Sequence, residues 1–452
     1  MSKIKTLSEN PVIKTVITAI TTVILCILLL TLSACIPRER IQKNSRLSAE
    51  YFAERDAFPV LFGNFVNSMQ DNYSDTVLCD IIYCIDTKHP FESVIRAEYA
   101  QEEGESASAG FLAAVNGEEK AKLEYGRYWH GTMVILRPLL MLFSIMGIRI
   151  LFGAVCMMIQ ISIIIIQAKR GKMAFSVCYL ISLLLMEPWM FFTSLEYGTA
   201  FCTASVAELM VILKIGGLEK SNARKKQVEV SDGWLMPFFT AVGVVTCFVD
   251  FLTTETMTFT LPMLFVLLER AEMATVKDGF LRILKNGVCW FGGYVCMFLT
   301  KILFLRVVAG DDIVRSSLAE GLFRFGGKVN SANIDIAPVV DIWRRLSGAI
   351  WHNLACLYPT QAGLMKAVWA WLPTVVIIGV GLITVYLLQD GINWKLFTPL
   401  FFLAAIPYLR FLVLSNHSYI HFFITYRAQM VTVVIFLFFV YENGLGKLRK
   451  NK

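Results

Sequence analysis

Apolar residues run along this chain in long blocks, separated by short polar stretches and by two long ones. The blocks fall at about 11–36, 148–168, 173–189, 198–214, 234–250, 256–269, 287–306, 366–388, 397–414 and 421–441. A helix needs about 20 such residues to cross a bilayer core, and several blocks are shorter than that. The pattern predicts an all-α polytopic membrane protein with about ten transmembrane helices and some interfacial helices.

The block 124–151 reads EYGRYWHGTMVILRPLLMLFSIMGIRIL. It is too interrupted for an easy span and too apolar for a surface loop. Loop charge decides how to read it. Lys3 and Lys5 put the N-terminus in the cytoplasm, because short basic loops stay on that side. With ten spans, the basic loops 168–172, 219–227, 269–285 and the tail 446–452 all fall on that same side. An eleventh span at 131–146 would break this parity. The block is therefore expected to lie in the outer interface and to feed the second span.

The expected organisation follows. Residues 1–36 form a cytoplasmic N-terminus and the first transmembrane helix. Residues 37–147 form a large outer loop with amphipathic and interfacial helices. Helices two to seven fill 148–306, a second outer loop takes 307–365, and 366–452 hold the last three helices and a basic tail. Within the first loop, SAEYFAERDAFPVLFGNFVNSM carries apolar residues at helical spacing, and QEEGESASAG (101–110) reads as a flexible linker. LSAC at 32–35 looks like a lipoprotein box, but the apolar run before it is longer than a signal core and reads better as a transmembrane helix.

Composition supports this reading. Of 452 residues, 56% are hydrophobic and 17% charged, against about a quarter charged in soluble domains. The net charge of +7 sits in short loops, as a bilayer partner demands, and does not suggest nucleic acid. Most of the eleven Cys lie in apolar runs and read as packing residues. No phosphate loop, HExxH helix or GxSxG elbow is present.

Polar groups at the outer ends of the blocks are the candidates for chemistry. Asp71 and Asp75 are four apart and could share a helix face. Ser74 or Asp75 could equally cap that helix. Arg127, Tyr128 and His130 precede the interfacial stretch, where an aromatic belt is the plain alternative. Arg137 lies inside VILRPLLML, where a charge must reach a headgroup or a polar cavity. Asp250 and Glu255 occupy a short outer turn. His417, His421 and Arg427 enter the last span from its outer end. His417 and His421 have a spacing that suits a metal, but no third ligand stands out. Arg324, Lys328, Arg344 and Arg345 add outward cations that suit a phosphate.

In order, these features resemble the integral-membrane glycosyltransferases of the GT-C fold, which include the protein O-mannosyltransferases and aminoarabinose transferases. SDTVLCDIIYCID (74–86) is similar to the family's acid followed by an amphipathic helix. YGRYWHGTMVILRPLLMLFSIMGIRILFGAV (125–155) is similar to its aromatic-basic cluster, interfacial helix and second span. EPWMFFTSLEYGTAF (187–201) and HFFITYRAQMVTVVIF (421–436) resemble later elements. Two departures stand out. Asp75 lies about forty residues past the first helix, with Glu39, Glu50, Glu54 and Asp56 closer to it, and HGT replaces the family's prolines after the basic cluster. The chain also resembles bacterial membrane proteins with YWHG and RPLL blocks that are linked to surface polysaccharide.

The resemblance implies a GT-C-like fold in the cell membrane. It implies transfer of a sugar from a polyprenyl-phosphate donor to a glycan, lipid or protein acceptor. Asp75 would be the base. Arg127, Tyr128, His130, Arg137, Glu255, His417, His421 and Arg427 would bind substrate. No cofactor is implied with certainty, and a divalent cation stays open. The competing reading is a non-catalytic protein of the cell envelope that binds or carries lipid-linked sugars.

Overall fold

A computed structural model describes residues 10–118, 122–221, 231–268, 275–326, 341–358, 372–389 and 391–445. The chain is nearly all helical. Nineteen helices matter here, numbered as they appear below, with one two-stranded sheet.

Helix α1 (Pro11–Ala34) starts under an Asn10 cap with Pro11 in its first turn, where its missing N–H costs nothing. Val16, Ile17, Ile20 and Ile24 stay exposed along it, as a face toward lipid would. Its neighbours in sequence form a separate layer: α2 (Arg38–Ala53), α3 (Asn72–Cys84), α4 (Pro90–Arg96) and α5 (Ala107–Asn116), with strands β1 (Glu98–Ala100) and β2 (Lys122–Glu124). The strands pair antiparallel with Glu98 opposite Glu124. Phe52, Ile82 and Phe111 lie in the core of this layer.

Two local readings differ from expectation here. The helical spacing of 48–69 is not followed past Ala53. Residues 54–71 instead make a looped hairpin, closed by a bridge between Val60 and Met69. Pro59 and Gly63, with φ +53°, explain the break, since neither suits a helix interior. The expected linker 101–110 is also ordered. Gln101 Nε2 donates to the Glu105 carbonyl, and Ser106 caps α5 through the Ala109 N–H.

The stretch after the outer layer forms only a seven-residue helix, α6 (Met133–Leu139). That is about 10 Å long, too short to cross a bilayer. The second apolar helix, α7 (Ile145–Lys169), begins after five intervening residues. The bundle continues with α8 (Met173–Leu185), α9 (Leu195–Ser221), α10 (Asp232–Val249), α11 (Met257–Leu268) and α12 (Val276–Ala309). Helices α13 (Asp311–Phe325) and α14 (Ile342–Ala355) follow, then α15 (Leu372–Leu388), α16 (Trp394–Val413), α17 (Ser415–Ile420), α18 (Phe422–Thr425) and α19 (Met430–Val440).

Among the described residues, seven helical stretches are long and apolar enough to cross a membrane. They are Pro11–Ala34, Ile145–Lys169, Leu195–Gly216, Asp232–Val249, Val276–Ala309, Trp394–Val413 and Phe422–Gly444. The other three apolar blocks of the sequence form the shorter helices α8, α11 and α15, of 13, 12 and 17 residues. Of the basic loops that set the expected parity, 222–227, 269–274 and 446–452 lie outside the described residues.

Small residues set the tightest contact in the bundle. A Cβ on Gly243 would sit 1.9 Å from the Trp290 carbonyl, and one on Gly293 would sit 2.2 Å from that of Thr240. Helices α10 and α12 therefore touch backbone to backbone, which only small residues permit. Polar side chains add to the packing. Gln160 on α7 donates to Ser205 on α9 at 2.6 Å and accepts from Tyr179 on α8 at 2.8 Å.

Candidate functional site

The connecting segments at one end of the bundle enclose a cavity of about 380 Å³. The N-terminus of α3 supplies Asp71, Tyr73 and Ser74 to its wall. The loop before α6 supplies Tyr125, Arg127, Tyr128 and His130. Glu196 comes from the first turn of α9, Phe251 and Thr253 from the loop after α10, and Arg324 from the end of α13. His417 and His421 come from the segment between α16 and α18.

One wall is acidic. Asp71 caps α3, with Oδ1 accepting from the Ser74 N–H at 2.8 Å and Oδ2 from the Ser74 hydroxyl at 2.9 Å. The cap is thus Asp71, not Ser74 or Asp75. Asp71 also hydrogen-bonds the Glu196 carboxyl. Burial, aided by the nearby Asp75 charge, pushes Asp71 up to about 6, against the pull of the Ser74 N–H. Two carboxyls this close share a proton more readily than they both ionise.

The rest of the lining is basic and aromatic. The Arg127 guanidinium lies 4.2 Å from the Tyr125 ring centre and 5.6 Å from that of Tyr128. Arg324 lies 5.4 Å from the Tyr128 ring. Two cations therefore lie near one tyrosine ring, whose quadrupole attracts them. His130 sits in the left-handed region at φ +52°, a strained backbone for this residue type. Its Nε2 bonds the Tyr125 carbonyl at 3.0 Å, so that nitrogen carries the proton. Burial pushes His130 down to about 3, and Lys301 and Arg127 add to the effect. The His417 and His421 rings lie 4.6 Å apart, tilted by 38°. Burial holds His417 well below the usual histidine range and His421 at about 3, with Arg324 and Arg410 repelling a further charge. All three imidazoles are neutral at physiological pH. Phe58 closes one side, stacked 6.0 Å from Tyr73 and edge-on to Phe423 at 6.1 Å.

Of the nine residues to which the resemblance gives a role, five meet in one cavity: Arg127, Tyr128, His130, His417 and His421. Four others lie elsewhere. Asp75 is 1% exposed and sits behind Asp71. Its Oδ2 meets Arg149 Nε at 2.8 Å and Nη2 at 2.7 Å, and it accepts from the Leu195 N–H at 3.0 Å. Burial raises its pKa, and Arg149 draws it back. Arg137 reaches neither a headgroup nor the cavity. Its guanidinium donates to the Ile36 carbonyl at 2.6 Å and to that of Ile82, at the C-terminal ends of α1 and α3, where a cation suits the helix dipoles. Glu255 is paired with Arg410, Nε to Oε1, at 2.8 Å. Arg427 is 1% exposed and donates to the Met186 and Phe423 carbonyls at 3.1 and 2.8 Å. Of the additional cations, Arg324 lines the cavity, Arg345 donates to Ser415 at 3.1 Å, and Lys328 lies outside the described residues.

Two residues escape the sequence reading, Glu196 and Arg410, and Asp71 reads there only as a possible neighbour of Asp75 on one helix face. Glu196 opens the run LEYGTAF, and Arg410 closes FFLAAIPYLRFLV. An ionisable group inside an apolar block was the available signal for both. Among the described residues, no group of three or more His, Cys, Asp and Glu is placed to hold a metal ion.

Set against known proteins, the chain matches no family model, no curated protein and no solved structure.

Proposed function

We propose that the protein transfers a sugar from a polyprenyl-phosphate donor to an acceptor hydroxyl of a glycan, lipid or protein, a reading that rests in part on its resemblance to the GT-C glycosyltransferases. The reading places the cavity on the outer face of the cell membrane and both termini in the cytoplasm. One observation carries it: a cavity at the end of an apolar bundle is lined by a raised carboxyl together with two arginines and neutral imidazoles.

Each part then has a task. Asp71, as carboxylate, takes the proton of the acceptor hydroxyl. The acceptor oxygen attacks the anomeric carbon from the side opposite the phosphate, and the bond from that carbon to the phosphate oxygen breaks with inversion. The electron pair leaves with the phosphate, where Arg127 and Arg324 meet the growing charge. His417 and His421 can donate hydrogen bonds without adding charge, whereas the one N–H of His130 is held by the Tyr125 carbonyl. Tyr73, which lines the cavity and is partly exposed, offers a face against which a sugar ring packs. Asp75 serves as the ion-pair partner that holds α3 against α7, and Asp71 takes the role of base.

The test is release of polyprenyl phosphate from a polyprenyl-phosphate hexose by the purified protein, followed against pH. Asp71 is competent only when ionised, and its pKa is raised to about 6. The rate should hold near neutrality and fall about tenfold per unit below about pH 6. An ordinary carboxylate would keep its rate down to about pH 4. Absence of release at every pH, with donor and a hydroxyl acceptor both present, would contradict the reading.

A further inference from the structure

Arg410 lies in the last turn of α16, is 7% exposed, and touches the cavity only through another residue. Its guanidinium is held on four sides. Glu255 takes it in a forked pair, Nε to Oε1 at 2.8 Å and Nη2 to Oε2 at 3.3 Å. Nη1 donates to the Ser418 hydroxyl at 2.9 Å, and Nη2 donates to the Leu252 carbonyl. Leu252 adopts φ +67°, an unfavourable backbone for leucine. That strain persists because the surrounding contacts over-determine the loop, and it turns the carbonyl toward Arg410. Asp250 adds to this by accepting from the Thr253 N–H at 3.1 Å.

The remaining contact of Arg410 is Nη2 to Nδ1 of His417, at 3.3 Å; with only two hydrogens on Nη2, one of them is shared with the Leu252 carbonyl or Glu255 Oε2. A guanidinium has donors and no acceptor. Nδ1 of His417 must therefore be the unprotonated nitrogen, and the ring proton must sit on Nε2. A doubly protonated ring would set two N–H groups against each other at this contact. Among the described contacts, Nε2 of His417 has no protein partner, and His417 lines the cavity.

We infer that Arg410, fixed by Glu255, is a positioning residue that locks His417 as a neutral tautomer with its Nε2–H offered to the cavity. The atom it meets is an acceptor oxygen, and on the reading proposed above that oxygen belongs to the phosphate of the donor. The tautomer has a purpose there. An Nε2–H donor is present over the whole working pH range and needs no proton uptake when the donor binds.

The chain holds five histidines, so ¹⁵N-histidine labelling gives a readable imidazole spectrum, assigned by the loss of signals in His417→Gln. The expected result without any ligand is a single Nε2–H tautomer for His417. In the double variant Glu255→Met with Arg410→Met, which leaves no unpaired buried charge, the tautomers should mix. An Nδ1–H or doubly protonated ring in the wild type would overturn the inference. So would an unchanged Nε2–H signal in the double variant.

Binding of polyprenyl phosphate supplies the second arm. The Gln amide nitrogen falls near the position of Nε2, and that of Asn falls near Nδ1. His417→Gln should keep more of the affinity than His417→Asn, which should lose about tenfold to a hundredfold, the worth of a hydrogen bond to a charged group. Equal losses in both variants would overturn the role of Nε2. Failure of the wild type to bind polyprenyl phosphate would remove the functional reading and leave the tautomer result standing by itself.

Discussion

Asp71→Asn is expected to slow sugar transfer by about 10²–10⁴-fold, the usual worth of a positioned general base. The substitution isolates the chemistry unusually well. Asn caps a helix about as well as Asp. Its Oδ1 can keep the bond from the Ser74 N–H, and its amide can donate to the Ser74 hydroxyl where Oδ2 now accepts. The fold and the affinity for donor should therefore stay close to wild type, and the loss should appear in kcat. The comparison with Glu196→Gln is informative. Glu196 shares the hydrogen bond with Asp71, so its replacement should shift the pH at which Asp71 ionises more than it lowers the plateau rate. Full activity in Asp71→Asn would pass the role of base to Glu196.

Arg149→Met should produce the largest loss of stability, about 3–5 kcal/mol, because it strands the Asp75 carboxylate in a dry interior. Both partners are 1% exposed at the side chain. Arg149 also reaches the Asn72 side chain at 3.1 Å, so it ties the start of α3 to the start of α7. The two-residue replacement Asp75→Leu with Arg149→Met should recover most of the loss, since an apolar pair of similar volume is often no worse than a buried ion pair. Thermal denaturation in detergent measures both. Asp75→Asn alone should behave as a stability variant, with transfer per folded molecule far less affected than in Asp71→Asn. A stable Asp75→Asn protein without turnover would reverse the two roles.

Much of the architecture was legible in the chain because hydropathy is a local property. Each apolar block of the sequence carries an apolar helix, and the stretch around Arg137 and Pro138 forms only a short helix before α7. The polar-aromatic cluster Arg127, Tyr128 and His130 was also legible, since such residues at the end of an apolar block have few places to go. What could not be read is pairing across the chain. Asp71 and Asp75 look alike at a spacing of four. Arg149, far along the sequence on α7, takes Asp75 and leaves Asp71 facing the cavity. Arg137 and Arg427 follow the same rule, because the carbonyls they bind belong to distant helix ends. Hairpin 54–71 failed for another reason. Its apolar spacing mimics a helix, and the turn chemistry of Pro59 and Gly63 overrides that pattern.

The most direct measurement is an electron cryomicroscopy map of the protein with a bound polyprenyl-phosphate sugar. The account predicts phosphate density between Arg127 and Arg324, within hydrogen-bond reach of His417 Nε2, and an anomeric carbon whose open side faces Asp71. Phosphate density away from both arginines, or a sugar with its phosphate side toward Asp71, would contradict it.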